Sequence, residues 1–71
     1  MVNTQLLEER IHQSGLKVGF IVQTVGLSHN GFYKKLRGKT PFRTAEIYVI
    51  SDLLRLSDAD KNAIFFADEV E

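Results

Sequence analysis

Three glycines and the single proline divide this chain into short segments, and their spacing constrains the fold more than any other feature. Gly15, Gly26, Gly38 and Pro41 leave no segment longer than 14 residues before the proline. Glycine accepts the left-handed conformation in which many helices end, and proline cannot continue a helix. Apolar residues between these breaks recur at helical spacing. The sequence therefore predicts an all-α chain of short helices without a sheet.

Five helices are expected from the apolar spacing and from residues suited to cap helix ends. Leu7 and Ile11 lie one turn apart in the first segment, and Phe32 and Leu36 do so in the third, which predicts their inward faces. The expected N-caps are Asn3 or Thr4, Ser28, Thr44 and Ser57. We predict helices at about residues 4–14, 18–25, 28–37, 44–56 and 57–66.

The length limits the chain to one domain. Its 71 residues, 44% hydrophobic and 25% charged, fit a single compact globular unit over residues 1–71. A chain this short buries only about 60% of the surface that its unfolded form exposes, so its stability alone is marginal. We therefore expect a homodimer or another partner chain.

The sequence predicts a cytoplasmic protein. It contains no cysteine, so neither disulfides nor thiolate metal sites add stability. The N-terminus lacks the basic start and apolar run of a signal peptide, and no stretch reaches the ~18 apolar residues of a membrane span. His12 and His29 have no acidic neighbours at ligand spacing, so no metal or other cofactor is expected. No arrangement of residues indicates catalysis, and we predict no enzyme activity.

The net charge of zero conceals an asymmetry along the chain. Residues 29–43 carry five cations and no acid, whereas residues 44–71 carry seven acids and two cations. A local basic stripe attracts phosphate within a Debye length of about 8–10 Å whatever the far side carries. The middle of the chain is therefore the expected contact region for a polyanion.

Residues 18–37 have the pattern of a helix-turn-helix, in which two short helices are separated by a turn that contains glycine. Gly26 permits the tight reversal, Leu27 enters the core just after it, and Ser28 caps the next helix. The second helix, over residues 28–37, is the expected recognition helix. Its outward side is polar and basic, which suits a major groove wide enough for one helix.

The outward residues fall into two groups by their chemistry. Asparagine pairs bidentately with adenine, lysine donates to guanine, and an aromatic ring packs on a thymine methyl, so one group is expected to contact bases. Long cations and a hydroxyl suit phosphates, where they set the register without reading sequence. The expected base contacts are Ser28, His29, Asn30, Tyr33 and Lys34, and the expected backbone contacts are Lys35, Arg37, Lys39, Thr40 and Arg43.

The chain resembles a family of small regulators, the Cro-like helix-turn-helix proteins of the xenobiotic-response-element (XRE) type. The resemblance covers almost the whole chain and rests on these residues: Gly15-Leu16-Lys17, Ile21, Val25-Gly26-Leu27-Ser28, Phe32-Tyr33-Lys34-Lys35-Leu36-Arg37-Gly38-Lys39, Phe42, Ala45-Glu46-Ile47 and Phe65-Phe66. It is closest to the short stand-alone members found in phages and prophages of Gram-positive bacteria. It implies a lambda-repressor-like fold of five helices and a dimer that binds a double-stranded DNA operator as a repressor in a lysogeny-type switch.

The family's functional positions match some residues here and not others. His29, Asn30, Tyr33 and Lys34 occupy its base-facing positions, and Lys39, Thr40 and Arg43 occupy its backbone-contacting loop. Three residues depart from the pattern. Val18 replaces a polar residue that touches phosphate or base, Val22 replaces a small residue at the helix crossing, and Gly31 costs about 1 kcal/mol of helix propensity relative to alanine. Gly31 indicates either a close approach to DNA or a helix that does not read DNA.

A second surface is expected on the fourth and fifth helices. The fourth predicted helix is apolar nearly all round, which is typical of a helix that is fully buried or that forms half of an interface. A chain of this length cannot bury every one of these side chains in its own core. The expected dimer or partner surface comprises Tyr48, Val49, Leu53, Phe65 and Phe66.

The sequence leaves three functions open. The first is a sequence-specific DNA-binding transcriptional regulator of the repressor type. The second is a protein-binding modulator or antirepressor that uses the same fold to mask another phage repressor, for which the zero net charge and Gly31 are the reasons. The third is an interaction subunit of a toxin–antitoxin or restriction control system.

Overall fold

The structure is a computed structural model that describes residues 2–66, and this part of the chain is all-helical. Its five helices, in chain order, are α1 (Thr4–Ser14), α2 (Val18–Val25), α3 (His29–Leu36), α4 (Thr44–Leu53) and α5 (Asp58–Phe65). No strand occurs between residues 2 and 66. The prediction of an all-α chain with five short helices is confirmed.

Helix α1 begins and ends through side-chain hydrogen bonds. The Asn3 side chain accepts a hydrogen bond from the Leu6 backbone N–H at 3.1 Å, so Asn3 rather than Thr4 is the N-cap. At the other end, the Ser14 hydroxyl donates to the Ile11 carbonyl at 2.6 Å, and Gly15 adopts a left-handed conformation with φ of 73°. Both predicted boundaries of this helix are therefore observed.

The next three helices end with the same pair of backbone hydrogen bonds. After α2, the Leu27 N–H donates to the Val22 carbonyl at 3.1 Å while Gly26, with φ of 86°, donates to Gln23. This is the Schellman motif, in which two otherwise unpaired carbonyls of the last turn are satisfied. Gly38 serves the same role after α3, and Arg55 serves it after α4.

Two predicted features of α4 are wrong. Its N-cap is Arg43, and Thr44 is the first helical residue rather than the cap. The helix also ends at Leu53 instead of about residue 56, because Arg55 enters the left-handed region with φ of 54°. Arginine is not a residue type that signals such an end. The cap of α5 is as predicted, since the Ser57 hydroxyl accepts the Asp60 N–H at 3.0 Å.

The core lies between all five helices and includes one residue of the loop after α3. Leu7, Ile21, Phe32 and Ile50 are completely inaccessible to solvent. The Asn3 N–H donates to the Ile64 carbonyl at 2.7 Å and thereby ties the start of α1 to α5. The other buried apolar residues are Ile11, Val22, Leu36, Phe42, Ile47, Leu54, Ile64 and Phe65.

A chain of four aromatic rings runs through this core. The Tyr33 ring stands edge-on to Phe32 at a centroid distance of 5.8 Å, and Phe32 does so to Phe42 at 6.2 Å. Phe42 in turn contacts Phe65 of α5 at 5.5 Å in the same edge-to-face manner. Such pairs stabilise a core beyond their buried area. The rings connect α3, the loop that follows it and α5.

Candidate nucleic-acid interface

Helix α3 carries an exposed polar face and is held from behind by two core residues. Phe32 is fully buried and Leu36 is 5% exposed, as their spacing predicts. On the opposite side, His29, Asn30 and Lys34 are exposed. A helix anchored in this way has a fixed backbone and presents its outer side chains from a defined position, which readout of base edges requires.

The first turn of α3 favours a glycine inside this helix. The Ser28 hydroxyl caps the helix by accepting the Gly31 backbone N–H at 3.0 Å. A Cβ atom on residue 31 would lie 3.0 Å from the same hydroxyl oxygen, tighter than nine in ten such contacts, so the hydroxyl would have to shift by a few tenths of an ångström. Ser57 caps α5 in the same way with Asp60 at the matching position, so a cap of this kind does not itself require glycine. Gly31 therefore spares the Ser28 cap this shift.

Tyr33 is less available than the sequence predicts. The residue is half-buried and packs against the core beside Phe32. The Arg37 guanidinium lies 5.6 Å from the centroid of its ring, within the range of a cation–π interaction. Arg37 therefore lies over part of the Tyr33 ring at the edge of the α3 face, and only part of the ring is open to a partner.

The prediction that Lys35 contacts phosphate is contradicted by its ion pair. Its Nζ atom lies 2.6 Å from Glu46 Oε1, and the two side chains are only 13% and 12% exposed. The same carboxylate oxygen accepts the Arg43 backbone N–H at 2.8 Å. Lys35 thus joins the end of α3 to the start of α4, and this pairing leaves it no free charge for DNA.

The pKa of Glu46 reflects competing effects. Burial raises the pKa of the carboxyl, but hydrogen bonds from Lys35 and the Arg43 backbone, together with the charges of both residues, outweigh it. The pKa therefore lies below its usual value, and the carboxylate is ionised at neutral pH. Because a guanidinium cannot accept hydrogen bonds, Arg43 caps α4 with no side-chain bond of its own, and Glu46 supplies the capping contact instead.

The loop between α3 and α4 projects cations while its middle is anchored. Phe42 is 8% exposed and sits in the aromatic chain. Around it, Lys39, Thr40 and Arg43 are exposed, as the sequence predicts for contacts to a DNA backbone. The Lys39 N–H is fixed by a 2.8 Å hydrogen bond to the Lys34 carbonyl. The loop therefore continues directly from the basic end of α3.

Apart from Lys35, the cations of this surface form no ion pair in the part of the chain that the structure describes. Three ion pairs occur between residues 2 and 66, namely Arg10 with Asp60, Lys35 with Glu46, and Lys61 with Asp58. Lys34, Arg37, Lys39 and Arg43 take part in none of them. Residues 10–45 contain no aspartate or glutamate at all. The α3 face and its loop therefore present a local positive field despite the zero net charge.

The predicted partner surface on α4 and α5 is only partly exposed. Phe65 is 5% exposed and belongs to the core, so its assignment to this surface is wrong. Val49, Leu53 and Phe66 are half-buried, and Leu53 and Phe66 pack against the core. Tyr48 is 59% exposed, with the Lys61 ammonium 4.9 Å from its ring centroid. Only one of the five side chains stands well out from the surface.

Phe20 is an exposed aromatic that the sequence analysis missed. It is 51% exposed on α2, where Ile21 and Val22 face inward. The signal was present, since helical spacing puts Phe20 on the same side as Gln23 and Thr24 and away from the buried pair.

A groove of about 490 Å³ lies beside α1 and α3, and its apolar lining includes Ile11, Leu16 and Leu36.

Neither a metal centre nor a membrane span can be built from residues 2–66. No group of three histidine or acidic side chains in this part of the chain could hold an ion. None of its helices has the length and apolar character needed to cross a bilayer.

Comparison of the chain with models of protein families, with curated proteins and with solved structures finds no match.

Proposed function

We propose that this chain is a sequence-specific DNA-binding transcriptional regulator, a Cro-like repressor that inserts α3 in the major groove. The observation that carries the proposal is the exposed polar and basic face of α3, anchored by Phe32 and Leu36 and continued by a basic loop. Helices α2 and α3, joined by the short turn at Gly26, act as a lambda-repressor-like helix-turn-helix. The protein works in the cytoplasm, without catalysis or a cofactor.

Three exposed side chains of α3 read bases in this proposal. Asn30 pairs with adenine through its amide, and Lys34 donates to guanine. His29 lies beside Asn30 at the start of the helix, where recognition helices contact base edges. Ser28 remains engaged in the cap, and half-buried Tyr33 contributes only the open edge of its ring.

Four residues hold the phosphates. Arg37, Lys39, Thr40 and Arg43 are all exposed around the end of α3. Contacts of this kind set the register and supply most of the affinity, whereas base contacts supply the specificity. As a homodimer, two copies place their α3 helices on the half-sites of a palindromic operator, about one helical turn apart.

A salt series tests the DNA-binding proposal. The dissociation constant for a mixed-sequence duplex, measured by fluorescence anisotropy from ~50 to ~200 mM salt, is expected to rise steeply, with a log–log slope near the number of phosphate contacts. Selection from a random duplex pool should then yield a palindrome. Undetectable binding at ~50 mM salt by a folded protein would rule the proposal out.

A second candidate, a protein-binding modulator or antirepressor that masks another phage repressor, is favoured by α2. Residues 18–28 contain no charged side chain, so the outer face of α2 offers no cation to phosphate and exposes Phe20 instead. Replacing Phe20 with serine should leave duplex affinity unchanged under the first proposal. Under the second, a cognate repressor would lose affinity for the Phe20→Ser variant while neither form of the chain binds the duplex.

A further inference from the structure

The groove beside α1 and α3 has the size and the composition of a small-molecule site. Its volume of about 490 Å³ falls within the range of ligand pockets, roughly 300–1,000 Å³. Most of its lining is apolar and comes from Ile11, Leu16, Val18, Tyr33 and Leu36. Ligand sites typically combine such a lining with a few polar groups that orient the ligand. The groove can therefore hold the apolar body of a small molecule.

The polar groups that line this groove from α1 are Glu8 and His12. Their spacing of four residues puts them on the same side of the helix, and both side chains are exposed. No lysine, arginine or second acid among residues 2–66 lines the groove. The carboxylate of Glu8 is therefore the one acidic charge that the described part of the chain presents to a molecule bound there.

The Glu8 carboxylate is free to take an external partner. It forms none of the three ion pairs described between residues 2 and 66, and nearby Arg10 pairs with Asp60 instead. Helices α2 and α3, which supply the rest of the lining together with Leu16, contain no acid. A bound cation would meet the opposite charge of Glu8, whereas a bound anion would be repelled by it. Charge complementarity thus selects a cation.

We propose that this groove binds a small apolar amine, a ring on a short chain that ends in an ammonium group. The ring lies against the apolar lining, and the ammonium group lies beside Glu8. The ligand also contacts Tyr33 and so touches the edge of the α3 face. The site itself does not rest on the proposed DNA-binding function, because neither its charge nor its lining depends on a bound duplex.

Tryptamine is the probe that tests the site, and tryptophol is its neutral match. Tryptophol carries a hydroxyl in place of the ammonium group on the same indole and the same two-carbon chain. Each is titrated into the full chain at neutral pH and ~50 mM salt, where screening is weak. Ligands of this size are expected to bind with dissociation constants in the millimolar range. The NMR signals followed are the methyl groups of Ile11, Leu16, Val18 and Leu36, with the buried Ile50 and Ile64 outside the groove as the internal control.

The charge preference is tested by two matched variants. The wild type should bind tryptamine about two- to fivefold more tightly than tryptophol, the range that one exposed ion pair supplies. Glu8→Gln should abolish this difference and leave the affinity for tryptophol unchanged, because it removes the charge and keeps the shape. Glu9→Gln changes the net charge equally at an exposed neighbour that does not line the groove, so it should retain the preference.

The outcomes separate the site from its charge preference. Shifts confined to the lining methyl groups, with a preference that only Glu8→Gln removes, support the proposal. No shifts, or equal shifts at Ile50 and Ile64, overturn the site. Equal affinities of the wild type for both probes, or an equal loss of preference in both variants, overturn the selection of a cation by Glu8. No DNA is present in these titrations, so a failure of the DNA-binding function would leave their result unchanged.

Discussion

Lys35 and Glu46 form an ion pair of 2.6 Å that fixes the end of α3 relative to the start of α4. The carboxylate oxygen that accepts from Lys35 also accepts the Arg43 N–H, so one atom holds both sides of the basic loop. A buried pair that loses one member leaves the other charge without a partner, which is costly. The pair therefore positions the loop and contributes to stability at once.

Replacement of Glu46 by glutamine should lower the free energy of unfolding by about 1–2 kcal/mol at pH 7. The folded-state pKa of Glu46 lies below its usual value of 4.5, so its stabilisation is complete above that pH and is lost as the pH falls through the folded pKa. Urea unfolding at pH 7 and at about pH 2.5 should show the difference between wild type and variant shrinking in acid. Asp52→Asn, exposed on the same helix, serves as the control. A difference that is equal at both pH values would contradict this account.

Gly31 and Ser28 should show strong energetic coupling. Gly31→Ala gains about 1 kcal/mol of helix propensity, but its methyl group displaces the Ser28 hydroxyl and weakens a cap worth about 1 kcal/mol. We expect little net change from Gly31→Ala alone and about 1 kcal/mol of destabilisation from Ser28→Ala alone. The double variant Ser28→Ala/Gly31→Ala should then be more stable than Ser28→Ala alone, by most of the gain in helix propensity of about 1 kcal/mol. A double-mutant cycle measured by urea denaturation checks this, and strictly additive effects would rule out the contact.

Arg55→Gly should stabilise the protein. A non-glycine residue in the left-handed region costs roughly 1–2 kcal/mol, and glycine removes this cost while adding some entropy to the unfolded chain. The expected net gain is about 0.5–1 kcal/mol, visible as a higher melting temperature. Arg55→Ala is the control, because alanine keeps the strain and removes only the exposed side chain. A similar gain in stability in both variants would mean that loss of the arginine side chain, and not relief of backbone strain, stabilises the protein.

If α3 reads DNA, replacing Asn30 and replacing Lys39 should change DNA affinity in different ways. Asn30→Ala is expected to cost about 1–3 kcal/mol on the selected operator and almost nothing on mixed sequence. Lys39→Ala should weaken binding to the operator and to the mixed-sequence duplex about equally. It should also reduce the slope of log affinity against log salt concentration by about one. Gln13→Ala, at an exposed amide on α1, is the matched control. A loss from Asn30→Ala that is the same on both duplexes would exclude it as a base-reading residue.

Homodimer formation is checked by sedimentation. A chain with a small core gains stability from a partner, and Tyr48 and Phe20 are the large exposed apolar side chains in the described part. The apparent mass at tens of micromolar protein should exceed that of a monomer, at least with operator DNA present. A monomer under both conditions would exclude the dimer.

Local signals in the sequence predicted the helices well and the contacts between them poorly. Gly15, Gly26 and Ser57 mark boundaries that are observed, because each acts through hydrogen bonds within its own turn. Arg55 ends α4 without a residue type that announces it. Here the tertiary packing of Leu54 and the two backbone bonds of the motif outweigh the backbone preference of arginine.

The α3 face was predictable for a similar reason, and its exceptions are tertiary. Phe32 and Leu36 repeat at helical spacing, so the opposite side was bound to face outward. Lys35 was expected to reach phosphate, but its partner Glu46 is 11 positions away, across a loop, and no periodicity reveals that pairing. Phe65 was placed on the surface because composition counts apolar residues without showing which of them the core has room for.

The four edge-to-face rings from Tyr33 to Phe65 give the protein an internal reporter. Each ring lies edge-on to the next, so the magnetic field of one aromatic system shifts the proton resonances of its neighbour. One end of the series is at the α3 face, and the other lines the groove beside α5. A ligand that tilts Tyr33 and a ligand that enters the groove beside Phe65 would therefore each shift the same small set of aromatic signals. One unlabelled spectrum can thus follow events on two sides of the molecule.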